Sequence, residues 1–251
     1  MSEGFRKILG VRFFAGDLDG LLEGIRAGGL VVVPSAPVMT RLAEDEAHRE
    51  ALEGADIAVT DSSFMVLLWL LHTGERLVRI SGLRLLKAIV ASGEYRGGSE
   101  SFWIMPSEGD SAANLAWLRG QGFGVSGDAA YVAPLYPKSG PIADEALLRR
   151  LAASRPALVV VALSGGVQER LGWHLRRSLG YRPAILCIGG AIAFLSGRQA
   201  HIPTWADRLA LGWVIRFIHS PRSFARKLQG VQNLPGLIWR FGSGSVAGPA
   251  D

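Results

Sequence analysis

With a single cysteine among its 251 residues, the chain cannot form an internal disulfide or a cysteine-based zinc site. That cysteine, Cys187, lies in an apolar run at residues 184–188, which predicts a buried and unreactive thiol. The sequence also lacks the glycine patterns G-x-x-x-x-G-K-[ST] and G-x-G-x-x-G, which mark ATP and dinucleotide sites. These absences favour a reducing, cytoplasmic setting and exclude the commonest phosphate-binding fingerprints.

Long apolar runs are missing as well. The longest uncharged stretches are residues 183–197, 27–40 and 62–74, and each is shorter than the ~18 to 20 residues that span a bilayer. The first seven residues do not contain the apolar segment of a signal peptide. We therefore expect a protein that does not cross a membrane, although it can lie on one.

The charge of the chain is unevenly placed. Residues 196–251 carry seven basic and two acidic residues, whereas residues 1–195 carry 20 of each, so the formal net charge of +5 belongs to the C-terminal segment. Such asymmetry indicates an anionic partner, for which nucleotide phosphates, acidic lipid and nucleic acid are candidates. A solvated basic helix is the plain alternative.

Arginines alternate with large apolar residues in this segment, where Arg216, Arg222 and Arg226 lie among Trp213 and Phe217. The mixture suits an interfacial helix on anionic headgroups, or guanidinium groups that close over a pyrophosphate. No known DNA- or RNA-binding motif accompanies it, so we do not expect a nucleic-acid partner.

Apolar runs and amphipathic stretches alternate along the rest of the chain. Strands are predicted at residues 30–33, 55–60, 101–105, 157–162 and 184–188. Helices are predicted at residues 39–52, 64–71, 83–91, 111–121, 144–154 and 168–179, with Asp144 as a helix cap. Because the strands are continuously apolar, the pattern predicts an α/β fold with a parallel sheet covered by helices on both faces.

Ligands of such folds bind beyond the carboxyl ends of the strands. The candidate residues that follow predicted strands there are Ser35, Asp61, Ser164, Gly165, Gly189 and Gly190. A carboxylate at position 61 can accept the proton of an attacking hydroxyl, but Asp61 can equally cap the helix that begins near Ser63.

The segment Ser164 to Glu169 opens a helix after the most apolar strand. Its small residues allow close backbone approach, and a helix N-terminus favours an anion. The pair Gly189 and Gly190 could act in the same way, while an ordinary tight turn is the alternative for both segments.

Metal-binding patterns are weak. Asp17 and Asp19 form a D-x-D sequence of the kind that binds metal in some glycosyltransferases, but they begin an amphipathic stretch at residues 18–27, which favours helix capping. The five histidines show no ligand spacing, so we expect no metal site.

An ordered series of short motifs carries a resemblance to a known family. It comprises residues 31–36, 55–61, 79–82, 161–169, 188–197, 203–205, 213–216, 220–222 and 226–227. In order and spacing, over roughly residues 8–228, the series resembles the WecG/TagA/CpsF glycosyltransferases, glycosyltransferase family 26.

The resemblance implies a Rossmann-like core, a C-terminal appendage that docks near the active site, and inverting transfer without a metal or cofactor. The implied donor is a UDP-sugar of the hexose or N-acetylhexosamine type. The implied acceptor is linked to polyprenyl diphosphate at the inner face of the bacterial membrane, in cell-surface polysaccharide synthesis.

The resemblance also implies roles for individual residues. Asp61 matches the family's catalytic base, and Gln168 and Glu169 match its Q-E pair. The appendage arginines that act on the diphosphate are matched by Arg216, Arg222 and Arg226.

Several positions depart from the family pattern. Ser35 stands where the family has asparagine, Ser62 follows Asp61 in place of glycine, Arg84 replaces an acid, and Val167 replaces a lysine. These departures predict a divergent subfamily and leave the donor sugar open.

The expected organisation is a catalytic core at residues 1–195, a basic appendage at 196–240 that completes the site or docks on anionic membrane, and a flexible tail at 241–251. A non-catalytic sugar-nucleotide or lipid-binding relative and another Rossmann-like enzyme remain alternatives. A homo-oligomer is compatible with the sequence.

Overall fold

The structure, a computed structural model, describes residues 4–198 and 230–246. The predicted appendage therefore lies largely outside the described residues. Among the described residues, eight strands form one sheet in the order β1-β2-β4-β3-β8-β7-β5-β6. The strands are β1 Phe5–Ile8, β2 Val11–Phe14, β3 Gly29–Val32, β4 Ile57–Ala58, β5 Ser101–Met105, β6 Ala130–Val132, β7 Leu158–Val161 and β8 Ala184–Cys187.

Neighbouring strands pair in parallel except for β1 and β2, which form an antiparallel hairpin at one edge. In β3, Leu30 and Val32 belong to one buried apolar cluster, and Val31 belongs to the other. Both faces of the sheet are thus buried, which explains why the strands read as unbroken apolar runs. The α/β, Rossmann-like prediction is confirmed.

Helices cover both faces. They are α1 Leu18–Arg26, α2 Ala36–Thr40, α3 Glu46–Glu53, α4 Ser63–Thr73, α5 Gly82–Ser92, α6 Glu108–Gly120, α7 Glu145–Ser154, α8 Val167–Ser178, α9 Ala191–Leu195 and α10 Leu234–Phe241. Helices α1, α5, α6 and α9 pack on one face, and α2, α3, α4, α7, α8 and α10 on the other. None of these helices is long and apolar enough to cross a bilayer.

The sequence prediction differs from the structure at several elements. The helix predicted at residues 39–52 is divided into α2, a 3-10 turn at Arg41–Ala43 and α3. The division occurs because Asp45 caps α3, its Oδ1 accepting from the N–H of His48.

The predicted helix caps are present. Asp17 caps α1 by accepting from the N–H of Gly20 at 3.0 Å, so the D-x-D pair does serve in capping. Asp144 caps α7 as predicted.

The end of the described chain returns to the core. Leu234 and Ile238 of α10 are fully buried, and the helix packs against α2 and α4. Beyond it, the carbonyl oxygen of Gly242 accepts a hydrogen bond from Leu9, and Val246 is buried. The part of the predicted flexible tail that lies within the described residues is therefore packed as far as Val246.

A buried histidine gives the fold a predictable response to acid. His48 is fully buried, its Nε2 lies 3.0 Å from the carbonyl oxygen of Val38, and its Nδ1 has no hydrogen-bond partner among the described residues. The ring is therefore neutral, with its proton on Nε2. Burial is the main cause that lowers the pKa of His48 from 6.5 to about 4.

Because the unfolded chain protonates His48 near pH 6.5 and the folded chain does so only near pH 4, this term destabilises the fold as the pH falls through that window. We expect His48 to account for a loss of about 3 kcal/mol in the free energy of unfolding between pH 7 and pH 4. Urea denaturation across this range measures the loss, with His48→Gln for comparison. Equal pH slopes for the two proteins would contradict the assignment.

Candidate active site

Four adjacent parallel strands bring the predicted site residues to one level. Val32 of β3 is in register with Ala58 of β4 and Cys187 of β8, and Cys187 is in register with Val161 of β7. Three residues beyond each of these positions lie Ser35, Asp61, Gly190 and Ser164. These four strands are the central strands of the sheet. Because neighbouring strands lie about 4.8 Å apart, their ends form a line about 14 Å long, from which the candidate residues extend.

The helices that follow these strands do not all pack on the same face of the sheet. Helices α2 and α3, which follow β3, and α8, which follows β7, pack on one face, whereas α9, which follows β8, packs on the other. The loops after β3 and β8 therefore diverge at the strand ends, and we call the space between them the crevice. Open α/β sheets bind their ligands outside the carboxyl ends of their strands.

Asp61 lies at this edge without capping a helix. The cap of α4 is Ser62, whose Oγ accepts from the N–H of Met65 at 3.2 Å. The side chain of Asp61 is partly exposed, and its Oδ1 lies 4.0 Å from Nη2 of Arg79. The capping alternative for Asp61 is therefore not supported, and its partly exposed carboxylate lies beside Arg79 at the strand ends.

Arg79 is one of two arginines at the site that the sequence prediction did not include among the site residues. Its Nε donates to the backbone oxygen of Asp61 at 2.7 Å. The preceding segment is held beside β4 because Thr60 donates to the carbonyl of Val78 and accepts from the N–H of Ile80. A general base must be ionised, and a guanidinium close by favours that form.

The residues around Arg79 continue into the N-terminus of a second long helix. Ser81 caps α5, and its Oγ accepts from the N–H of Arg84. A Cβ on Gly82 would lie 3.5 Å from the carbonyl oxygen of Ile188, so this helix begins above the end of β8. Arg84 is exposed in the first turn, which adds positive charge at the positive end of the helix dipole.

Gln168 and Glu169 lie behind the crevice rather than in it. Glu169 is fully buried, with Oε2 accepting from the N–H of Gly166 at 2.6 Å and Oε1 accepting from Gln168 at 2.9 Å. Gln168 in turn accepts from the N–H of Gly189 at 2.6 Å. Burial raises the pKa of Glu169, whereas the donors on its two oxygens oppose that rise.

These bonds alter the interpretation of the glycine turns. The N–H groups of Gly166 and Gly189 are the donors that a phosphate would use, and the protein's own side chains occupy both. The Q-E pair thus holds the turns after β7 and β8 together. Exposed backbone at this position belongs to Ser164 and Gly165, and Ser35 adds a partly exposed hydroxyl that does not cap α2.

A second arginine missed by the sequence prediction covers the glycine turn. An ideal Cβ on Gly166 would lie 2.1 Å from Nη1 of Arg41, and one on Gly165 would lie 2.5 Å from Cγ2 of Val38. Arg41 donates to the backbone oxygen of Lys138 at 2.7 Å. Positive charge therefore lies beside the turn at which the family has a lysine and this chain has Val167.

Gly166 should tolerate no side chain. Its φ of 89° belongs to the left-handed region, and a Cβ would displace Arg41. We expect Gly166→Ala to lower the free energy of unfolding by about 2 kcal/mol, measured by urea denaturation. Gly120→Ala is the matched control, because its Cβ meets nothing within 4 Å and a helical alanine should stabilise. Equal stability of Gly166→Ala and the native chain would contradict the tight fit.

The remaining predicted site residues cannot be placed. Arg216, Arg222 and Arg226 lie outside the described residues, so their relation to Asp61 stays a prediction. Within residues 4–198 and 230–246, no three histidine, cysteine, aspartate or glutamate side chains are grouped as a metal site would require.

The fold and the edge residues define an α/β protein of the Rossmann-like class, with a carboxylate and arginines where ligands of such sheets bind. Comparison with protein families makes the class specific. The model of the glycosyl transferase WecG/TagA/CpsF family matches residues 6–246, and the chain belongs to this family. No match was found among curated proteins. Glycosyl transfer is thus the activity class that the family supports.

Proposed function

We propose that the protein transfers a sugar, of the hexose or N-acetylhexosamine type, from a UDP-sugar to a polyprenyl-diphosphate-linked acceptor, with inversion at the anomeric carbon. The observation that carries the proposal is the partly exposed Asp61 carboxylate beside Arg79, at the carboxyl edge of the central strands. The acceptor class, the UDP-sugar and the inverting course come from the family resemblance.

The transfer is a single displacement. The acceptor hydroxyl oxygen attacks the anomeric carbon while Asp61 takes the hydroxyl proton. The bond between that carbon and the UDP oxygen breaks, and UDP leaves with the electron pair. Attack from the face opposite to UDP inverts the anomeric configuration, and one base on the acceptor side is sufficient for it.

Negative charge that develops on the departing UDP needs positive groups held in position. Arg79, Arg84 and the N-terminus of α5 provide them at the same edge in this proposal. The roles of Arg216, Arg222 and Arg226 on the diphosphate extend the proposal by resemblance alone. Gln168 and Glu169 act as positioning residues that fix the turns beneath the ligand.

The proposed acceptor sets the proposed location. A polyprenyl-linked substrate stays in the bilayer, so the enzyme would work as a peripheral protein on the inner face of the plasma membrane. Its product would enter the synthesis of a bacterial cell-surface polysaccharide.

Ligand-dependent thermal stability tests the proposal. The purified full chain is heated with UDP, several UDP-sugars, NAD or S-adenosylmethionine, each with and without EDTA. A ligand that binds only the native state raises its stability, by about 2.7 kcal/mol at 100 times its Kd. We expect UDP or one UDP-sugar to raise Tm in both conditions. A rise with NAD or S-adenosylmethionine alone would overturn the proposal.

Turnover separates the enzyme from a binding relative. The donor that raises Tm is incubated with a polyprenyl-diphosphate-linked acceptor, and release of UDP is measured. Release that depends on the acceptor supports transfer. Binding of the donor without release, over a panel of acceptors, would instead assign a non-catalytic sugar-nucleotide-binding role.

A further inference from the structure

Helix α4 has an apolar face that the rest of the described chain leaves open. Eight of its eleven residues, positions 64–71, are apolar. Met65, Leu68 and Trp69 are buried against the core. A helix that is apolar on all sides is normally buried on all sides. The opposite face of α4 is not, so it requires another explanation.

The open face consists of large side chains at helical spacing. Phe64 is 41% exposed, Leu67 50% and Leu71 65%, and the spacing i, i+3, i+7 puts them on one side of α4. Val78, 44% exposed, and Trp239 of α10, 52% exposed, lie at its two ends. We call these five residues the α4 surface.

Contacts with neighbouring residues place the two end residues. The ring of Trp239 packs edge-on against His72, the residue after Leu71, with 5.4 Å between ring centroids. At the other end, the carbonyl of Val78 accepts from Thr60, the residue before Asp61. The α4 surface thus runs from the neighbourhood of the candidate base to helix α10.

Exposed basic side chains border the α4 surface. Arg76 is exposed beyond the C-terminus of α4, and the two acids near the surface, Glu75 and Asp61, lie 3.1 Å from Arg6 and 4.0 Å from Arg79. In residues 230–246 the one charged side chain is Arg240, which is exposed beside Trp239. An apolar face with a tryptophan at its border and basic groups around it matches an anionic bilayer surface.

The same charge argues against a second copy of the chain on this face. A two-fold dimer through the α4 surface would bring the same basic residues of both copies together. Like charges at an interface are unfavourable, whereas anionic headgroups attract them. The charge pattern therefore favours lipid over a partner protomer.

We infer that the α4 surface is the face with which the protein contacts an anionic lipid bilayer. This inference rests on the proposed function and deepens it. Phe64 lies three residues after Asp61, and a helix advances by about 1.5 Å per residue, so contact through α4 holds the base close to the headgroup layer. The diphosphate of a lipid-linked acceptor is located in that layer.

Sedimentation with vesicles tests the inference on the full chain without any sugar donor. The vesicles contain phosphatidylcholine, either alone or with about one quarter phosphatidylglycerol. Leu67→Gln and Leu71→Gln are each compared with Leu135→Gln, because Leu135 is fully exposed in the loop after β6 and serves as the matched control. Unchanged Tm values show that all three variants fold.

We expect the native chain and Leu135→Gln to bind the phosphatidylglycerol vesicles equally, and better than phosphatidylcholine alone. Each α4 variant should bind about tenfold more weakly, since a half-exposed leucine contributes about half of its transfer free energy. Absence of binding by the native chain, or equal binding by all variants, would overturn the inference. A dimer that Leu71→Gln dissociates, with vesicle binding unchanged, would assign the face to a second copy.

The outcome is separable from that of the proposed function. Vesicle binding with the expected variant pattern, together with no release of UDP from any donor, would leave the membrane face standing and reject the transfer. Acceptor-dependent release of UDP with a soluble short-chain acceptor, but no vesicle binding, would support the transfer and reject the membrane face.

Discussion

Replacing Asp61 by asparagine should lower kcat for sugar transfer by about 1,000-fold while the affinity for UDP is kept. The amide has nearly the same shape as the carboxylate but cannot take the proton of the acceptor hydroxyl. The fold should be unaffected, because Ser62 rather than Asp61 caps α4. Initial rates of UDP release and the Tm shift with UDP measure the two effects separately.

Asp17→Asn is the matched control for this experiment. Asp17 follows β2, which is parallel to β4, so the same substitution is made at the same edge of the sheet. Its Oδ1 caps α1, a role that asparagine fills equally well, and we expect full activity. Activity lost in Asp17→Asn and retained in Asp61→Asn would reverse the assignment and give the D-x-D pair a catalytic role.

Arg170→Met should destabilise the protein by about 3 to 5 kcal/mol. Arg170 is almost completely buried, and its guanidinium donates to the backbone oxygens of Gly166, Gly140 and Pro137. Its Nε also lies 3.8 Å from Oδ2 of the buried Asp45. Methionine would leave three carbonyls without this donor and a buried carboxylate with less compensating charge.

The free energy of unfolding in urea measures this loss. Arg177→Met is the control, because Arg177 lies on the same helix but is exposed, with its guanidinium over the ring of Trp173. That substitution should change stability by no more than about 1 kcal/mol. A loss at Arg170 as small as the loss at Arg177 would show that the buried network contributes little.

The sheet could be predicted because its strands are buried on both faces. Leu158–Val161 and Ala184–Cys187 are apolar at every position, which few other environments require. The β1–β2 hairpin was missed because both of its strands contain charged residues, whereas the predicted strands of equal length are apolar throughout. Strand β4 has two residues but was predicted over residues 55–60. In the sequence, the apolar residues beside the strand cannot be distinguished from those that pair within the sheet.

The parallel order of the strands predicts that the candidate residues lie in one line. It does not predict the contacts that their side chains make. Arg79 reaches Asp61 across 18 positions of sequence, after helix α4 and within residues 74–81, which have no regular secondary structure, and no local pattern indicates that return. Gln168 and Glu169 were expected to bind substrate because they match the Q-E pair of the family. Burial with every oxygen satisfied depends on partners that only the folded chain brings together.

The internal hydrogen bonds of Gln168 and Glu169 separate the residues that fix the backbone of the site from those that would select the sugar. Because the amides of Gly166 and Gly189 are already occupied, the floor of the crevice is assembled before any substrate arrives, and binding pays little entropy to order it. In the proposed reaction, discrimination between sugars then rests with the side chains around the rim. A substitution at the rim would leave this floor in place, so donor preference could change while the fold stays the same.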